Sequence, residues 1–399
     1  MLRCLVIYPN FLYENPTCRQ FERFLFAIQD RYDLTLVTRH GPRNPAIDIK
    51  TVFITEKDRN WSYWGEFVKN HLGGLAQIPD EVRWSMNIPT RWTLNRLLKN
   101  QAGKYDFVMT LSFPLSCHFV GAYLKKTFRL PWVALFYDPW TDNPHRSSTN
   151  RFVKRMDACL ERAVYSSADA IVHDNETIVN IWRNRYEKGE TSKIAVIPFC
   201  YTDEMIQRPI APSPGKETVV VSYIGLSNEG RNLHDLILAV EDLSKEMDIS
   251  RLKVFVIGNR FDPDQQLCRS KSLDNTFSFE GYLPYSQLPS YYQSSDAFVV
   301  VDHPGQLNVH FPSKLMDYFL YQKPILGITP TVGATATLLR EAGHTVVKNG
   351  DVGAVKEFLA HLLKEGARSF HFDKDYYRRF SPQNIAASFD GIIKGIISK

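Results

Sequence analysis

Several features are missing from this 399-residue sequence, and each absence argues against a class of protein or of activity. No uninterrupted apolar run reaches the roughly 18 residues that suggest a membrane-spanning helix. No Walker-type phosphate loop is present, which argues against ATP hydrolysis. The chain also lacks internal repeats, low-complexity segments and a basic tract dense enough to predict nucleic-acid binding.

Cysteine pairs are also lacking. The six cysteines show no regular spacing, and several lie in predicted strands or apolar helices. This favours a reduced, cytoplasmic protein without disulfides or a structural zinc site. The first residues, MLRCLVIYPNF, contain no signal-peptide cleavage site and predict a first β-strand instead.

Positive charge is concentrated in the first half of the chain. Residues 1–200 contain 27 Lys and Arg against 20 Asp and Glu, whereas residues 201–399 contain 21 against 23. Residues 56–104 also mix tryptophans with basic side chains, a composition that suits a membrane interface or a lipid acceptor. The alternative is that these tryptophans pack the segment onto its own domain.

Apolar strands alternate with amphipathic helices along the whole chain, which predicts an α/β protein with two parallel sheets. A proline-rich linker at 209–215 separates the two runs. We therefore expect an N-terminal domain at 1–208, with 56–104 as an insertion, and a C-terminal domain at 216–375. Residues 376–399 predict a final amphipathic helix.

The segment at 311–330, FPSKLMDYFLYQKPILGITP, is the most informative part of the chain. Ser313 and Lys314 open a short predicted helix, Asp317 lies about one turn on, and a buried strand follows. The unpaired amides and positive dipole end of a helix can receive a phosphate. Together with a hydroxyl, an ammonium and a carboxylate, they suit a nucleotide diphosphate with a sugar attached. The alternative is an ordinary αβ unit with a solvated Lys314.

Three places in the first half carry candidate acceptor-side groups. Asp138 follows the strand VALFY, where a carboxylate can act as a base or bind an acceptor, or simply stabilise the turn. His118 begins a predicted helix, where it either reaches the site or packs. The loop after the first strand carries the polar residues Asn15 and Arg19.

Several segments together resemble a bacterial glycosyltransferase family, the family 4 type with the GT-B fold. They are SFPLSCHFVGAYLKK, LPWVALFYDPW, SYIGLSNEGRNLHDLILAV, GYLPYSQLPSYYQSSDAFVVVD and FPSKLMDYFLYQKPILGITP, so the resemblance runs from Met1 to about Val347. The resemblance implies two Rossmann-like domains that face each other across a cleft. The donor would bind mainly to the second domain and the acceptor to the first, and the C-terminal helix often crosses back to the first domain.

The resemblance also assigns donor-binding positions. The loop that starts at Gly225 would present Arg231 to the diphosphate, although Leu226 stands where the family often has a second cation. Asp317 matches the carboxylate that commonly holds the ribose, whereas Val309 replaces the family's other glutamate. Asn308 and His310 flank that position and are possible substitutes. Further donor contacts are expected from a set that follows the neighbouring strands: Asn259, Tyr282, Leu283, Ser313 and Lys314.

The predicted function is transfer of a sugar from a nucleotide-diphosphate donor, a UDP-sugar in the first instance, to a glycan or lipid-linked acceptor. The family retains anomeric configuration, and the setting implied is bacterial surface-polysaccharide synthesis, with possible peripheral membrane contact. Arg231 and Lys314 would stabilise charge, with Asp138 as the acceptor-side carboxylate. No metal or other cofactor is predicted, because helix amides and cations can neutralise a diphosphate. The alternatives are a non-catalytic paralogue and a nucleotide-sugar epimerase.

Overall fold

The structure of the protein is a computed structural model. It describes residues 1–8, 16–38, 46–53, 94–99, 104–112, 115–143, 151–187, 192–201, 218–259 and 262–398. Asn15, most of the predicted insertion at 56–104 and the predicted linker at 209–215 lie outside the described residues.

The chain divides into two compact units. The N-terminal unit comprises Met1–Cys200 together with Pro382–Lys399, and the C-terminal unit comprises Tyr201–Ser381.

The N-terminal unit is built on a parallel seven-stranded sheet with the order β3-β2-β1-β4-β5-β6-β7. Its strands are β1 (Leu2–Ile7), β2 (Tyr32–Thr38), β3 (Lys50–Phe53), β4 (Phe107–Leu111), β5 (Trp132–Phe136), β6 (Ala170–His173) and β7 (Ile194–Val196). The helices between them are α1 (Pro16–Ile28), α2 (Ser116–Phe128), α3 (Arg151–Ser167) and α4 (Glu176–Tyr186).

The C-terminal unit has a parallel six-stranded sheet with the order β10-β9-β8-β11-β12-β13. Its strands are β8 (Val219–Ile224), β9 (Leu252–Ile257), β10 (Phe277–Gly281), β11 (Ala297–Val301), β12 (Ile325–Ile328) and β13 (Thr345–Val347). Its helices are α5 (His234–Glu246), α6 (Asp262–Ser270), α7 (Leu288–Ser294), α8 (Lys314–Tyr321), α9 (Ala334–Glu341) and α10 (Val352–Glu365).

The burial of the central strands explains why their sequences are largely apolar and can be predicted as strands. Every residue of β4, β5, β8 and β11 is buried, as expected when helices cover both faces of a parallel sheet. The α/β prediction with two parallel sheets is therefore confirmed. One strand was not predicted: β3 lies at the sheet edge with no buried residue, so its sequence carries no core signal.

The last helix, α11 (Pro382–Ile397), packs within the N-terminal unit. The Phe389 ring meets Phe24 edge-on, with the ring centroids 5.3 Å apart. Asp390 accepts a hydrogen bond of 2.6 Å from the Tyr32 hydroxyl and is ion-paired with Arg31. These contacts bind the end of the chain to the beginning of the first sheet.

Strand order identifies where each sheet is expected to bind a ligand. In doubly wound sheets, ligands lie beyond the carboxyl ends of the strands, where the winding direction reverses. In the C-terminal unit this reversal lies between β8 and β11, and in the N-terminal unit it lies between β1 and β4. The loop from Gly225 follows β8, and the loop from Asp302 follows β11 and leads to α8.

Candidate functional site

The loop after β8 forms the centre of the candidate site. Gly225 has φ +156° and lies against the end of Lys314, so that a Cβ on this residue would come 2.3 Å from Lys314 Nζ. The neighbouring strand end is equally close, because a Cβ on Gly258 would lie 1.8 Å from the Gly225 carbonyl oxygen. The glycines therefore allow a lysine and two strand ends to meet at one point.

The ammonium group of Lys314 is a buried cation at this site. Its Nζ is buried and has no hydrogen-bond partner within the part of the chain that the structure describes. The ammonium lies 4.3 Å from the centroid of the Tyr223 ring, a cation–π contact. Burial, and after it the Arg231 charge, lowers the Lys314 pKa to about 7, while Asp302 acts in the opposite direction. A bound anion would therefore stabilise the charged form of Lys314.

Arg231 lies beside the same loop. Its Nε donates a 3.1 Å hydrogen bond to the Leu226 carbonyl, which also accepts a 2.7 Å bond from the Tyr223 hydroxyl. The Arg231 amide donates to the Asn228 side chain at 2.9 Å, which closes a tight turn. These bonds hold the arginine at the strand end through Nε. The terminal guanidinium nitrogens make no hydrogen bond to any residue that the structure describes.

The start of α8 is only partly open to a ligand. The amides of Leu315 and Met316 donate to the carbonyls of Pro312 and Ser313, at 3.0 and 3.2 Å. Ser313 makes no side-chain capping bond to the helix. The Lys314 amide has no backbone partner in the part of the chain described. The helix start thus offers fewer amides than the sequence suggested.

Asp317 lies on the buried side of α8. Its carboxylate is 4% exposed and accepts hydrogen bonds from the hydroxyls of Tyr285 and Tyr292, at 3.0 and 3.3 Å. The predicted ribose anchor is therefore engaged with two tyrosines in this structure.

The remaining predicted donor contacts lie at the ends of β9 and β10. The Asn259 side chain pairs with the Ser227 backbone, accepting at 2.7 Å and donating at 2.6 Å, so it fixes the loop after β8. Tyr282 is 64% exposed and Leu283 is half-buried. The Gly258 amide donates to the Gly281 carbonyl at 2.9 Å, which brings the two strand ends together.

A buried carboxylate after β11 was missed by the sequence analysis. Asp302 is 5% exposed and accepts from Asn308 Nδ2 at 2.6 Å and from the Thr329 hydroxyl at 2.8 Å. Asn308 also donates to Thr335 at 2.8 Å and belongs to this network. Val309 is itself buried. A sequence signal existed, since Asp302 directly follows the apolar strand AFVVV.

In the N-terminal unit, His118 is completely buried. Its Nδ1 is 2.9 Å from the Thr110 hydroxyl, and its ring lies 4.1 Å from that of Phe136. Burial lowers the His118 pKa to about 3, so the imidazole is neutral at physiological pH. This environment corresponds to the packing alternative considered for a histidine at a helix start.

Asp138 lies half-buried two residues after β5, near a carboxylate that the sequence analysis did not select. Asp174 follows the adjacent strand β6, is 2% exposed and accepts a 2.7 Å bond from Asn175. Its other oxygen has no partner among the described residues. Burial, and after it the Asp138 charge, raises the Asp174 pKa well above its usual range. Arg19 lies half-buried in the first turn of α1.

Three of the predicted donor-binding residues lie together in the C-terminal unit. Gly225, Arg231 and Lys314 meet at the loop after β8, where Lys314 contacts Tyr223 and Arg231 contacts Leu226.

Within the described residues, no cluster of three or more His, Cys, Asp or Glu has metal-site geometry. No helix in the described part of the chain is long and apolar enough to cross a membrane.

Two family models match the chain. The model for glycosyl transferases group 1 matches residues 203–380, and that for a glycosyl transferase 4-like domain matches residues 21–200. Together they span nearly the whole sequence. The protein belongs to the family 4 type of GT-B glycosyltransferases and is a glycosyltransferase. No curated protein sequence matches it.

Solved structures agree with this fold over the full chain. Anabaena HepE in complex with UDP and glucose aligns with a TM-score of 0.65 and 12% identity, covering 99% of this chain and 100% of that chain. Sucrose-phosphate synthase from Thermosynechococcus elongatus aligns with a TM-score of 0.66 and 15% identity, covering 100% of both chains. The UDP-forming trehalose-phosphate synthase of Burkholderia vietnamiensis aligns with a TM-score of 0.60 and 12% identity, covering 99% and 100%. At these identities the likeness concerns the fold.

Proposed function

We propose that the protein transfers a sugar from a UDP-sugar, and that Arg231 and Lys314 bind the diphosphate of this donor. The observation that carries the proposal is the buried Lys314 ammonium, which lies beside Gly225 without a hydrogen-bond partner among the described residues. A buried cation of this kind is costly unless an anion accompanies it. A diphosphate at the end of β8 would supply that anion.

Lys314 would take the place of the cation that is missing at Leu226. A residue at 226 and the tip of Lys314 both lie next to Gly225, although they come from different parts of the chain. The pair of Arg231 and Lys314 would therefore restore the two positive charges expected at this loop. Ser313 and the Lys314 amide, which has no backbone partner among the described residues, would add neutral donors to the phosphate oxygens.

The choice of UDP is supported by similar structures. HepE has been solved with UDP and with UDP-glucose, and the trehalose-phosphate synthase is described as UDP-forming. The exposed Tyr282 and its neighbour Leu283 would cover the base, and Asp317 remains our prediction for the ribose.

The reaction would proceed with retention, as the family resemblance implies. An acceptor hydroxyl oxygen forms the new bond to the anomeric carbon while the bond from that carbon to the phosphate oxygen breaks. The departing diphosphate takes the acceptor proton. Arg231 and Lys314 stabilise the charge that grows on the diphosphate, which contributes several kcal/mol when such groups are preorganised. Asp138 would orient the acceptor.

For the acceptor we propose a glycan or lipid-linked sugar of bacterial surface-polysaccharide synthesis, used at the inner face of the membrane. The excess of basic residues in the first half of the chain supports an anionic partner there.

A thermal-shift panel of UDP-, GDP-, dTDP- and CMP-sugars tests the donor proposal. A ligand present at about 100 times its Kd adds about 2.7 kcal/mol to the stability of the folded state. We expect a shift with a UDP-sugar that Arg231→Ala removes and Arg269→Ala, an exposed arginine on α6, retains. A shift unchanged in Arg231→Ala would remove this residue from the site.

The alternatives have separate outcomes in an activity assay. An epimerase would isomerise the donor when no acceptor is present. A non-catalytic paralogue would bind the donor and release no nucleotide with any acceptor.

A further inference from the structure

Helix α3 of the N-terminal unit is strongly two-sided. Its inward face packs through Val153 and Val164 and also buries both of its acidic residues. Asp157 accepts a 3.1 Å bond from the Trp140 indole, and Glu161 accepts a 2.8 Å bond from Arg185. The negative charges of this helix are therefore used inside the unit.

The outward face of α3 carries only positive charge. Arg151, Lys154, Arg155 and Arg162 are all exposed. None of them forms an ion pair with a residue that the structure describes. At 100° per residue, positions 151, 155 and 162 fall within about 40° of one another around the helix, whereas position 154 is turned about 60° away from position 151. The structure describes α3 throughout, and no acidic side chain is exposed on it.

The helix also exposes an aromatic side chain, and further basic residues lie on the helix that contacts its C-terminal end. Phe152, in the first turn, is 68% exposed. At the other end, Lys125 of α2 donates to the Ser167 carbonyl at 2.8 Å, which joins the ends of α2 and α3. The exposed Lys126 and Arg129 follow Lys125. A cationic helix face with an exposed aromatic side chain suits the boundary between headgroups and acyl chains.

We propose that the outward face of α3 is the surface by which the protein binds an anionic lipid bilayer. This rests on the membrane contact proposed above and assigns it to a particular surface. The occupant is argued from charge complementarity: α3 exposes four cations that have no ion pair with a described residue, together with the phenyl ring of Phe152, and it exposes no carboxylate. Each Lys or Arg near such a surface contributes about 1 kcal/mol.

Cys159 provides a direct probe of this surface. The structure describes all six cysteines, and Cys159 is the exposed one, while the other five are buried. It lies four residues after Arg155, on the same outward face. A polarity-sensitive dye on Cys159 of the full chain should shift its emission to the blue with phosphatidylglycerol-containing vesicles. No shift is expected with phosphatidylcholine vesicles.

Co-sedimentation with the same vesicles gives the affinity. Arg155→Gln combined with Arg162→Gln should weaken binding about 25-fold, since each neutralised cation costs about fivefold. Raised salt should weaken binding of the unmodified protein. The matched control is Lys348→Gln combined with Lys364→Gln, which removes two exposed charges from the C-terminal unit and should leave binding unchanged.

Four results would overturn the proposal. The first three are absence of binding to anionic vesicles, equal losses in the α3 and control variants, and binding to an RNA oligonucleotide as tight as to the vesicles. The fourth is complete competition by free glycerol phosphate, which would indicate capture of a headgroup and not of a bilayer. Donor-induced thermal shifts, measured on the same variants, should be unaffected. A lost shift there would indicate misfolding, and a shift absent even from the unmodified protein would count against the donor proposal alone.

Discussion

The two units differ in where their predicted functional residues lie. In the C-terminal unit, Gly225, Arg231 and Lys314 converge on the end of one strand, although 89 positions separate the first from the last. In the N-terminal unit, His118 lies in the core against Phe136, away from solvent. The comparison teaches that a residue just after a parallel strand must lie at the carboxyl end of the sheet, because the sheet topology places it there. A residue in the first turn of a helix can face either way.

The largest effect is expected from Lys314→Met. Donor-dependent turnover should fall by about 10² to 10³, as when a preorganised charge stabiliser is removed. The donor-free protein should become more stable by about 1–3 kcal/mol, because a buried cation without a partner is costly. Urea unfolding and a nucleotide-release assay measure the two effects. The exposed Lys364→Met serves as the control, and a destabilised Lys314→Met would contradict our account.

Asp317→Asn should come next, with a loss of about 1–3 kcal/mol in the free energy of unfolding. The reason is that two tyrosine hydroxyls would lose a charged acceptor in a buried site. Tyr285→Phe should reproduce part of the loss, and the exposed Asp274→Asn should not. A variant of normal stability with weakened donor affinity would instead show that Asp317 acts mainly on the donor.

Donor affinity should depend on pH through Lys314. The free-site pKa of about 7 must rise when a diphosphate binds, so binding takes up a proton above this pH. We expect affinity to be constant below pH 7 and to fall by up to tenfold per pH unit above it. Isothermal titration at several pH values measures this. Lys314→Met should flatten the profile, and an unchanged profile would contradict the assignment.

The smallest effect concerns the core histidine. The His118 pKa is about 3 in the folded protein, against an ordinary value of 6.5. The contribution of this histidine to the stability of the folded state is therefore fully present above pH 6.5 and is lost as the pH falls toward 3. His118→Phe should therefore reduce the pH dependence of unfolding by up to about 1.4 kcal/mol per pH unit. Tryptophan fluorescence is a suitable readout, because all seven tryptophans precede residue 201. The exposed His361→Gln should leave the slope unchanged; a loss of acceptor affinity in a stably folded His118→Phe variant would refute the core interpretation.

Much of the fold could be predicted because fully buried strands carry an unmistakable apolar signal. The sequences of β8 and β11 are largely apolar for that reason, whereas the edge strand β3 has no buried residue and no such signal. The candidate site was partly predictable. Arg231 and Lys314 were selected from local patterns, but Tyr223 was not, since an aromatic residue within a strand resembles any other core residue.

The sequence alone determined the two parallel sheets, the order of their elements and the cations available at the ends of strands, because periodicity and turn residues are local properties. Only the tertiary structure decided which side chains meet. The cation–π contact of Lys314, the burial of Asp317 against two tyrosines and the pairing of Asp302 with Asn308 all depend on packing between distant segments. The charge state of a group follows from that packing, since burial and neighbouring charges set its pKa.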